Sequence, residues 1–375
     1  MGNFKTWDVI IIGGGLAGLS CALHLSQNNI NVILIEKNKY PNHKVCGEYV
    51  SNEVLPYFQK LGIDPCSKGA KKINKFEISN KKGNLIKAKL PLGGFGISRF
   101  TFDNLLFEKL KDTAEVEFDT VETIDFSSDV FSVKTLKKKE FKAKYVLGAF
   151  GKRSNIDVFM KRNFIQKPSH WLAVKAHYNY DFPEDTVALH NFEGGYCGLS
   201  KVENNAVNAC YLTTFKSFKK AGNIDALQKN NLSKNPYLKH FFSHSKSIFE
   251  KPLTISQVSF QKKEPVEDHV FMLGDSAGLI HPLCGNGMAM AIHSAKIFSE
   301  LFLKEYITGS IDRNKLEHNY KTLWEETFSN RLKSGRLIQH LLLNPLTTDI
   351  GFSVSKIFPS IIPTLIKQTH GSPLI

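Results

Sequence analysis

Three glycines and one acid near the start of the chain have the types and spacing needed to hold a dinucleotide. Gly13, Gly15 and Gly18 form Gly-x-Gly-x-x-Gly, with Leu16 and Ala17 between the last two, and Glu36 follows. Such glycines let the backbone approach a pyrophosphate, the free N–H groups of the next helix bind its charge, and a carboxylate at a strand end accepts hydrogen bonds from a ribose. A second constellation lies far along the chain. Gly274 and Asp275 close the apolar run Val270–Leu273, and Gly285, Asn286, Gly287 and Met288 lead into an Ala-rich stretch from Ala289. Here a carboxylate can accept from a polyol while backbone N–H groups meet another part of the same ligand. Two such sites at opposite ends of the sequence imply one long cofactor.

The elements that position these groups are readable around them. Val9–Ile12 is β-branched throughout and too short for a helix, as expected of a strand buried on both faces. Leu16, Leu19, Ala22 and Leu23 then follow helical spacing, and Asn31–Glu36 reads as a second strand. Strand, glycine turn, helix, strand and terminal acid together are a far stronger signal than the glycines alone.

Taken together, the N-terminal glycine motif, Gly274-Asp275 and Pro282-Leu-Cys-Gly-Asn-Gly-Met resemble the FAD-dependent superfamily of geranylgeranyl reductases and aromatic hydroxylases. The resemblance implies an α/β fold: a Rossmann-type FAD-binding domain, an interleaved antiparallel-sheet substrate domain and C-terminal helices. It places residues 1–72, 96–154 and 266–302 in the FAD-binding domain, 73–95 and 155–265 in the substrate domain and 303–375 in the helical segment. FAD contacts are then expected from Gly13, Gly15, Leu16, Ala17, Gly18, Glu36, Lys37, Arg99, Gly151, Gly274, Asp275, Gly285, Asn286, Gly287 and Met288. Arg99 has a second reading, a surface ion pair with Asp103. Ala149-Phe-Gly-Lys-Arg-Ser154 resembles the family's second flavin motif, normally Ala-Asp-Gly, but Phe150 stands in place of the aspartate. After Asp275 the chain has Gly278 where hydroxylases usually carry histidine. Both departures weigh toward the reductase branch.

Composition sets bounds. The chain has 375 residues, is 42% hydrophobic and 22% charged, and carries a net charge of +14. Its lysines are scattered through turns without interleaved aromatics, so a solvated basic surface is expected and nucleic acid is not; an acidic carrier or an anionic membrane stays open. Six cysteines occur singly, without metal-ligand spacing, so neither a disulfide framework nor a metal site is expected, and the setting implied is reducing and cytoplasmic. No signal peptide and no membrane-spanning stretch are expected.

Along the chain, residues 37–51 form a polar segment long enough to be functional, centred on Cys46-Gly47-Glu48. A helix is expected over about 52–61, a hairpin over 72–90 with its turn at 80–84, and a helix over 102–111 capped by Thr101. Residues 116–147 read as a small meander returning to the parent sheet. Strands follow at 172–180, 187–192, 196–200 and 207–213; their aromatics Trp171, Tyr178, Phe192 and Tyr211 read chiefly as core. Gly194-Gly195-Tyr196 resembles a reductase turn beside the substrate. Helices are expected over 312–343 and 353–368. The last is apolar and interrupted by Pro359 and Pro363, reading either as packing on the parent fold or as a lid or peripheral membrane contact.

The leading functional expectation is an FAD-dependent oxidoreductase acting on a hydrophobic small molecule, isoprenoid, polyene or polyketide-like, that is carrier-bound or membrane-derived. Hydride transfer to or from a carbon–carbon double bond is the reaction class, with NADPH or NADH as the external donor. Cys46, Glu48, His281 and Tyr196 are the candidate catalytic groups, chiefly as proton donors. The alternatives are a flavin monooxygenase, a halogenase and a non-catalytic flavin-binding protein.

Overall fold

The structure, a computed structural model, describes residues 6–309 and 311–375. The first five residues of the expected FAD-binding domain, and Ser310 of the helical segment, lie outside the described residues. In chain order the first part comprises β1 (Thr6–Ile12), α1 (Leu16–Ser26), β2 (Val32–Glu36), β3 (Tyr49–Ser51), α2 (Leu55–Lys60), β4 (Lys71–Ser79), β5 (Leu85–Gly96) and α3 (Arg99–Leu110). Then come β6 (Glu115–Phe118), β7 (Val121–Ser127), β8 (Val130–Thr135), β9 (Glu140–Gly148) and α4 (Asn155–Phe159). The middle holds β10 (Trp171–Asn179), β11 (Thr186–Phe192), β12 (Gly195–Lys201), β13 (Val207–Thr214), α5 (Phe215–Ala221), α6 (Ile224–Asn230) and α7 (Pro236–His244). The chain closes with β14 (Lys246–Ser247), β15 (Leu253–Ser256), β16 (Val266–Glu267), β17 (Val270–Met272), α8 (Gly287–Ile307), α9 (Arg313–Leu343), α10 (Pro345–Ile357) and α11 (Ile361–Thr369).

Two sheets organise these elements. In the first, the order is β16-β17-β9-β1-β2-β6, with β7 and β8 attached through β9. Strands β17, β9, β1, β2 and β6 run parallel, so the glycine turn after β1 and the Gly274 turn after β17 leave the same end of the sheet. Helices cover it: Val9, Ile10 and Ile11 are fully buried, each contributing about 1.5–3 kcal/mol by burial. Helix α1 is buried nearly all round because it is wedged between the sheet, α3 and α8. Gly18 permits this approach; a Cβ there would overlap the Gly13 carbonyl oxygen.

The second sheet has the order β14-β10-β13-β12-β11-β4-β5-β3, with β15 beside β10. It is antiparallel except for β4 and β11, which pair in parallel because they arrive from two separate excursions of the chain rather than from one hairpin. Alternate residues of β10 divide its two faces. Val174, Ala176 and Tyr178 pack on α5–α7 together with Phe192 and Tyr211, as a plain aromatic core. Ala173, Lys175 and His177 face the other way, toward residues 44–48.

Two local expectations need correction. Ser98, not Thr101, caps α3: its hydroxyl accepts from Thr101 N–H at 3.1 Å, while the Thr101 hydroxyl donates to Glu203 at 2.7 Å. Arg99 therefore lies inside the first helical turn. The final apolar stretch is interrupted at Pro359 as expected but not at Pro363, which lies inside α11. It begins earlier, at Pro345, and breaks between α10 and α11 with a 116° bend, because Pro359 disfavours helical geometry at Phe358 and lacks a donor. Among the described residues no single helix is long and apolar enough to cross a membrane.

Candidate functional site

The glycine turn builds the first wall of the site. Gly13 has φ of 107°, and a Cβ there would overlap the Ala149 carbonyl, so Gly13 and Gly18 serve backbone packing. Gly15 differs. Apart from its chain neighbours, a Cβ there would meet only Arg99 Nη2, at 3.6 Å, and the residue opens onto a cavity with Leu16 and Ala17. Gly15 is the N-cap of α1 and has no side chain to satisfy the helix's first N–H groups, which are left for an anion. Glu36 is buried at the end of β2, where Gly14 N–H (2.6 Å) and Asn38 N–H (3.0 Å) each hold one carboxylate oxygen. One lone pair per oxygen remains for a diol. Lys37 is exposed and is not part of the cavity wall.

Arg99 forms the ion pair with Asp103, buried rather than on the surface as expected. Its guanidinium grips the buried Asp103 through Nε (2.6 Å) and Nη2 (2.7 Å), yet it also lines the cavity beside Gly15. Burial raises the Asp103 carboxyl, but Arg99 and then Lys44 (2.8 Å) outweigh it and hold the group below its ordinary value. Lys44 and the Tyr40 hydroxyl also donate to the Gly14 carbonyl, at 3.2 and 2.7 Å, tying the 37–48 segment to the turn.

The second wall comes from the end of β17. Asp275 lines the cavity 3.5 Å from Lys152. Its backbone is braced from behind: Lys263 Nζ donates to the Asp275 carbonyl (2.7 Å), and buried Arg162 donates to the Ser276 carbonyl (3.0 Å) while pairing with Asp157 and Glu267. Burial pushes Lys263 down to about 8. Gly151, with φ of 85°, donates its N–H to the Ser276 hydroxyl (2.9 Å) and has no atom near its Cβ direction. Gly274 brings its turn against Ala17 and Ala291, each 3.1 Å from an added Cβ. Gly285, Gly287 and Met288 line the cavity, with Gly287 opening α8 without a side-chain cap. Asn286 does not reach it; its Nδ2 donates to buried Glu53 at 3.1 Å and so holds the loop from behind. Glu53 also accepts from Gly371 N–H, anchoring the C-terminal segment at the same carboxylate.

These walls belong to one cavity of about 310 Å³. It runs from Gly15 and Asp275 past Cys46 and Tyr196 to an apolar, mostly aliphatic end formed by Phe76, Leu90, Leu189 and Leu199 from the second sheet and by Leu342 and Ile366 from α9 and α11. Of the two readings of the last apolar stretch, α11 lining this cavity matches the lid, while α9 at the wall has no counterpart among the expectations. Only the apolar spacing of α9 could have signalled it, and that spacing also fits packing on the parent fold.

Of the four candidate proton donors, Tyr196 and Cys46 line the cavity and are free of an ion pair. Burial holds the Tyr196 hydroxyl far above its ordinary value, so it keeps its proton, and it accepts from Leu283 N–H at 3.1 Å. Cys46 is half-buried on the cavity wall. Glu48 is on the wall but is corrected as an acid: burial raises its carboxyl, whereas Lys175 and then His177 (2.6 Å) outweigh that and hold it ionised. It also accepts from Arg99 N–H at 2.7 Å, so its role is to anchor the 44–48 segment. His281 is corrected too. It is stacked on Phe260 with ring centroids 3.6 Å apart, is not part of the cavity wall, and is pushed down to about 3 by burial and by Arg336. Near neutrality it is the neutral imidazole, with no imidazolium proton to donate.

Phe150 and Gly278, the two departures from the hydroxylase pattern, have structural counterparts. Phe150 packs beside Gly148, where an added Cβ would come within 2.6 Å of its ring. At Gly278 a Cβ would meet the Trp324 ring of α9 at 2.8 Å, so α9 occupies the room a histidine would need.

Comparison with known proteins supplies the cofactor. Residues 6–318 match the family described as FAD binding domain. The chain is 25% identical to the digeranylgeranylglycerophospholipid reductase of Methanosarcina acetivorans over 366 residues, covering 92% of this chain and 86% of the relative. Among solved structures, the flavin-dependent brominase Bmp2 aligns with a TM-score of 0.79 at 17% identity, covering 97% of this chain and 93% of the brominase. A geranylgeranyl bacteriochlorophyll reductase-like protein of Thermoplasma acidophilum aligns with a TM-score of 0.73 at 18% identity, covering 91% and 88%. The residues fit FAD: the open N-cap of α1 suits its pyrophosphate, oriented Glu36 its ribose, Asp275 its ribityl chain and the uncapped start of α8 its ring system. The chain belongs to the FAD binding domain family and is an FAD-dependent oxidoreductase of the geranylgeranyl reductase and monooxygenase superfamily.

Proposed function

We propose that the protein reduces a carbon–carbon double bond in a long hydrophobic, isoprenoid-like molecule. The observation that carries this reading is the cavity itself, polar where the cofactor is expected and apolar from Phe76 to Ile366. Bound FAD, once reduced, supplies hydride. The chain's own residues exclude water from the alkene along the aliphatic walls and hold a proton at Cys46 Sγ or Tyr196 Oη for the second carbon. The name of the Methanosarcina relative supports the reductase reading, as do Phe150 and Gly278. Turnover with a prenyl lipid should yield a product heavier by two hydrogens per reduced bond and free of new oxygen. Mass spectrometry showing an inserted oxygen atom would transfer the chain to the monooxygenase branch.

The start of α8 offers a clean perturbation of the same site. A Cβ at Gly287 would make only an ordinary contact, 3.7 Å from Ile280, so valine fits the protein but projects toward the cofactor space. Gly287→Val should lower flavin occupancy about tenfold or more while the apoprotein stays folded. Lys296→Ala, on the same helix and paired with Glu300 at 2.8 Å, should leave occupancy unchanged. Equal occupancy in both variants would remove α8 from the flavin site.

A further inference from the structure

We propose that α10 and the adjoining end of α9 seat this protein on an anionic bilayer surface. On α10, Thr348, Phe352 and Ser355 face inward, and the opposite stripe is apolar and exposed: Leu346 (75%), Ile350 (63%), Val354 (38%) and Ile357 (70%). These positions fall at i, i+4, i+8 and i+11 of the sequence, one narrow face of the helix. Phe358 at the bend and Leu337 and Leu341 on α9 extend the apolar surface. A contiguous run of this kind is unusual on a face meant for water.

Charge selects the occupant. From Asn330 to Ile375 the chain has Arg331, Lys333, Arg336, Lys356 and Lys367 but a single acid, Asp349. That acid is already neutralised by Lys82 at 2.7 Å and also accepts from Asn80. Lys356 on α10, Lys333 and Arg336 on α9 and Lys367 on α11 are all exposed, so the exposed charged side chains of this stretch are basic, as suits a lipid headgroup layer. The geometry favours lying on the surface: α10 covers about 20 Å against a hydrocarbon core of about 30 Å, and the chain turns by 116° into α11. Helix α11 is the outer wall of the cavity's aliphatic end and is itself half-exposed through Ile361, Ile362, Leu365 and Ile366. Docked this way, the thin wall between cavity and surroundings lies beside lipid, giving a membrane-resident substrate a dry route inward. This route rests on the proposed function; the docking surface does not.

The test uses flavin-loaded protein and vesicles without substrate. Wild type should co-sediment with vesicles of mixed phosphatidylcholine and phosphatidylglycerol about tenfold or more better than with phosphatidylcholine alone. Ile350→Asp combined with Ile357→Asp should lose that binding about tenfold or more, with flavin absorbance intact as the check on folding. Should the double variant not hold flavin, Lys356→Glu with Lys367→Glu tests the same face by charge and should weaken binding to the mixed vesicles only. Wild type that ignores anionic vesicles overturns the proposal, as does a dimer by light scattering that the aspartate variants dissociate. Vesicle binding without alkene reduction would sink only the functional reading. Reduction of a detergent-dispersed alkene by protein that ignores vesicles would sink only the docking surface.

Discussion

Lys175→Met is expected to destabilise the protein by about 3–5 kcal/mol near neutral pH, because it leaves the fully buried Glu48 carboxylate without its main counter-charge. The sign of the pH dependence follows from Glu48. In the native protein its carboxyl lies below the ordinary value of 4.5, so the stability it contributes is present above that value and is lost as the pH falls through the folded value. Without Lys175, burial dominates and the carboxyl rises, so in the variant the contribution is present at low pH and is lost as the pH climbs. The gap between wild type and variant should therefore widen from pH 4 to pH 7. Urea unfolding at the two pH values measures it. A deficit under about 1 kcal/mol at pH 7, or one that does not change with pH, would mean that the pair does not hold the 44–48 segment as described.

Gly15→Asp should lower affinity for FAD by about a thousandfold, roughly 4 kcal/mol, while the apoprotein melts near wild type. The backbone at Gly15 is extended, with φ of −84°, and the only side-chain atom near its Cβ direction is Arg99 Nη2, so the substitution is tolerated by the fold. Its carboxylate would then occupy the anion seat at the start of α1 and repel a diphosphate there. Gly13→Ala provides the contrast. Its methyl would overlap the Ala149 carbonyl, so the fold itself should suffer before any question of binding arises. Flavin titration monitored by fluorescence quenching, beside thermal melts, separates the two. Retained affinity in Gly15→Asp would show that the pyrophosphate does not sit at this N-cap.

The N-terminal unit was legible because its logic is local: β-branched strand, glycine turn, helix and acid lie within about thirty residues and each constrains the next. Asp275 and the α8 start were legible for the same reason, and the strands of the second sheet announced themselves by alternation. Long-range partners were not. Glu48 read as an acid until Lys175, 127 positions away, and His177 proved to share its burial. His281 lies next to the cofactor loop in sequence but is turned under Phe260, a rotation that no spacing encodes. The α3 cap falls on Ser98 rather than the expected Thr101; both residue types suit the role, and the contact of the Thr101 hydroxyl with Glu203 takes it away from the cap. The apolar end of the cavity depends on where α11 comes to rest against β5 and α9, a packing outcome rather than a motif.

The most direct test of the central claim, that one cavity holds flavin at its polar end and an alkene at its aliphatic end, is anaerobic single turnover. Flavin bound to the protein is reduced chemically, a prenyl lipid is added without oxygen, and the flavin absorbance is followed. The expected result is reoxidation in step with saturation of one double bond, slowed in Cys46→Ala with FAD still bound. Flavin that stays reduced until oxygen is admitted, and then leaves an oxygen atom in the product, would contradict the account.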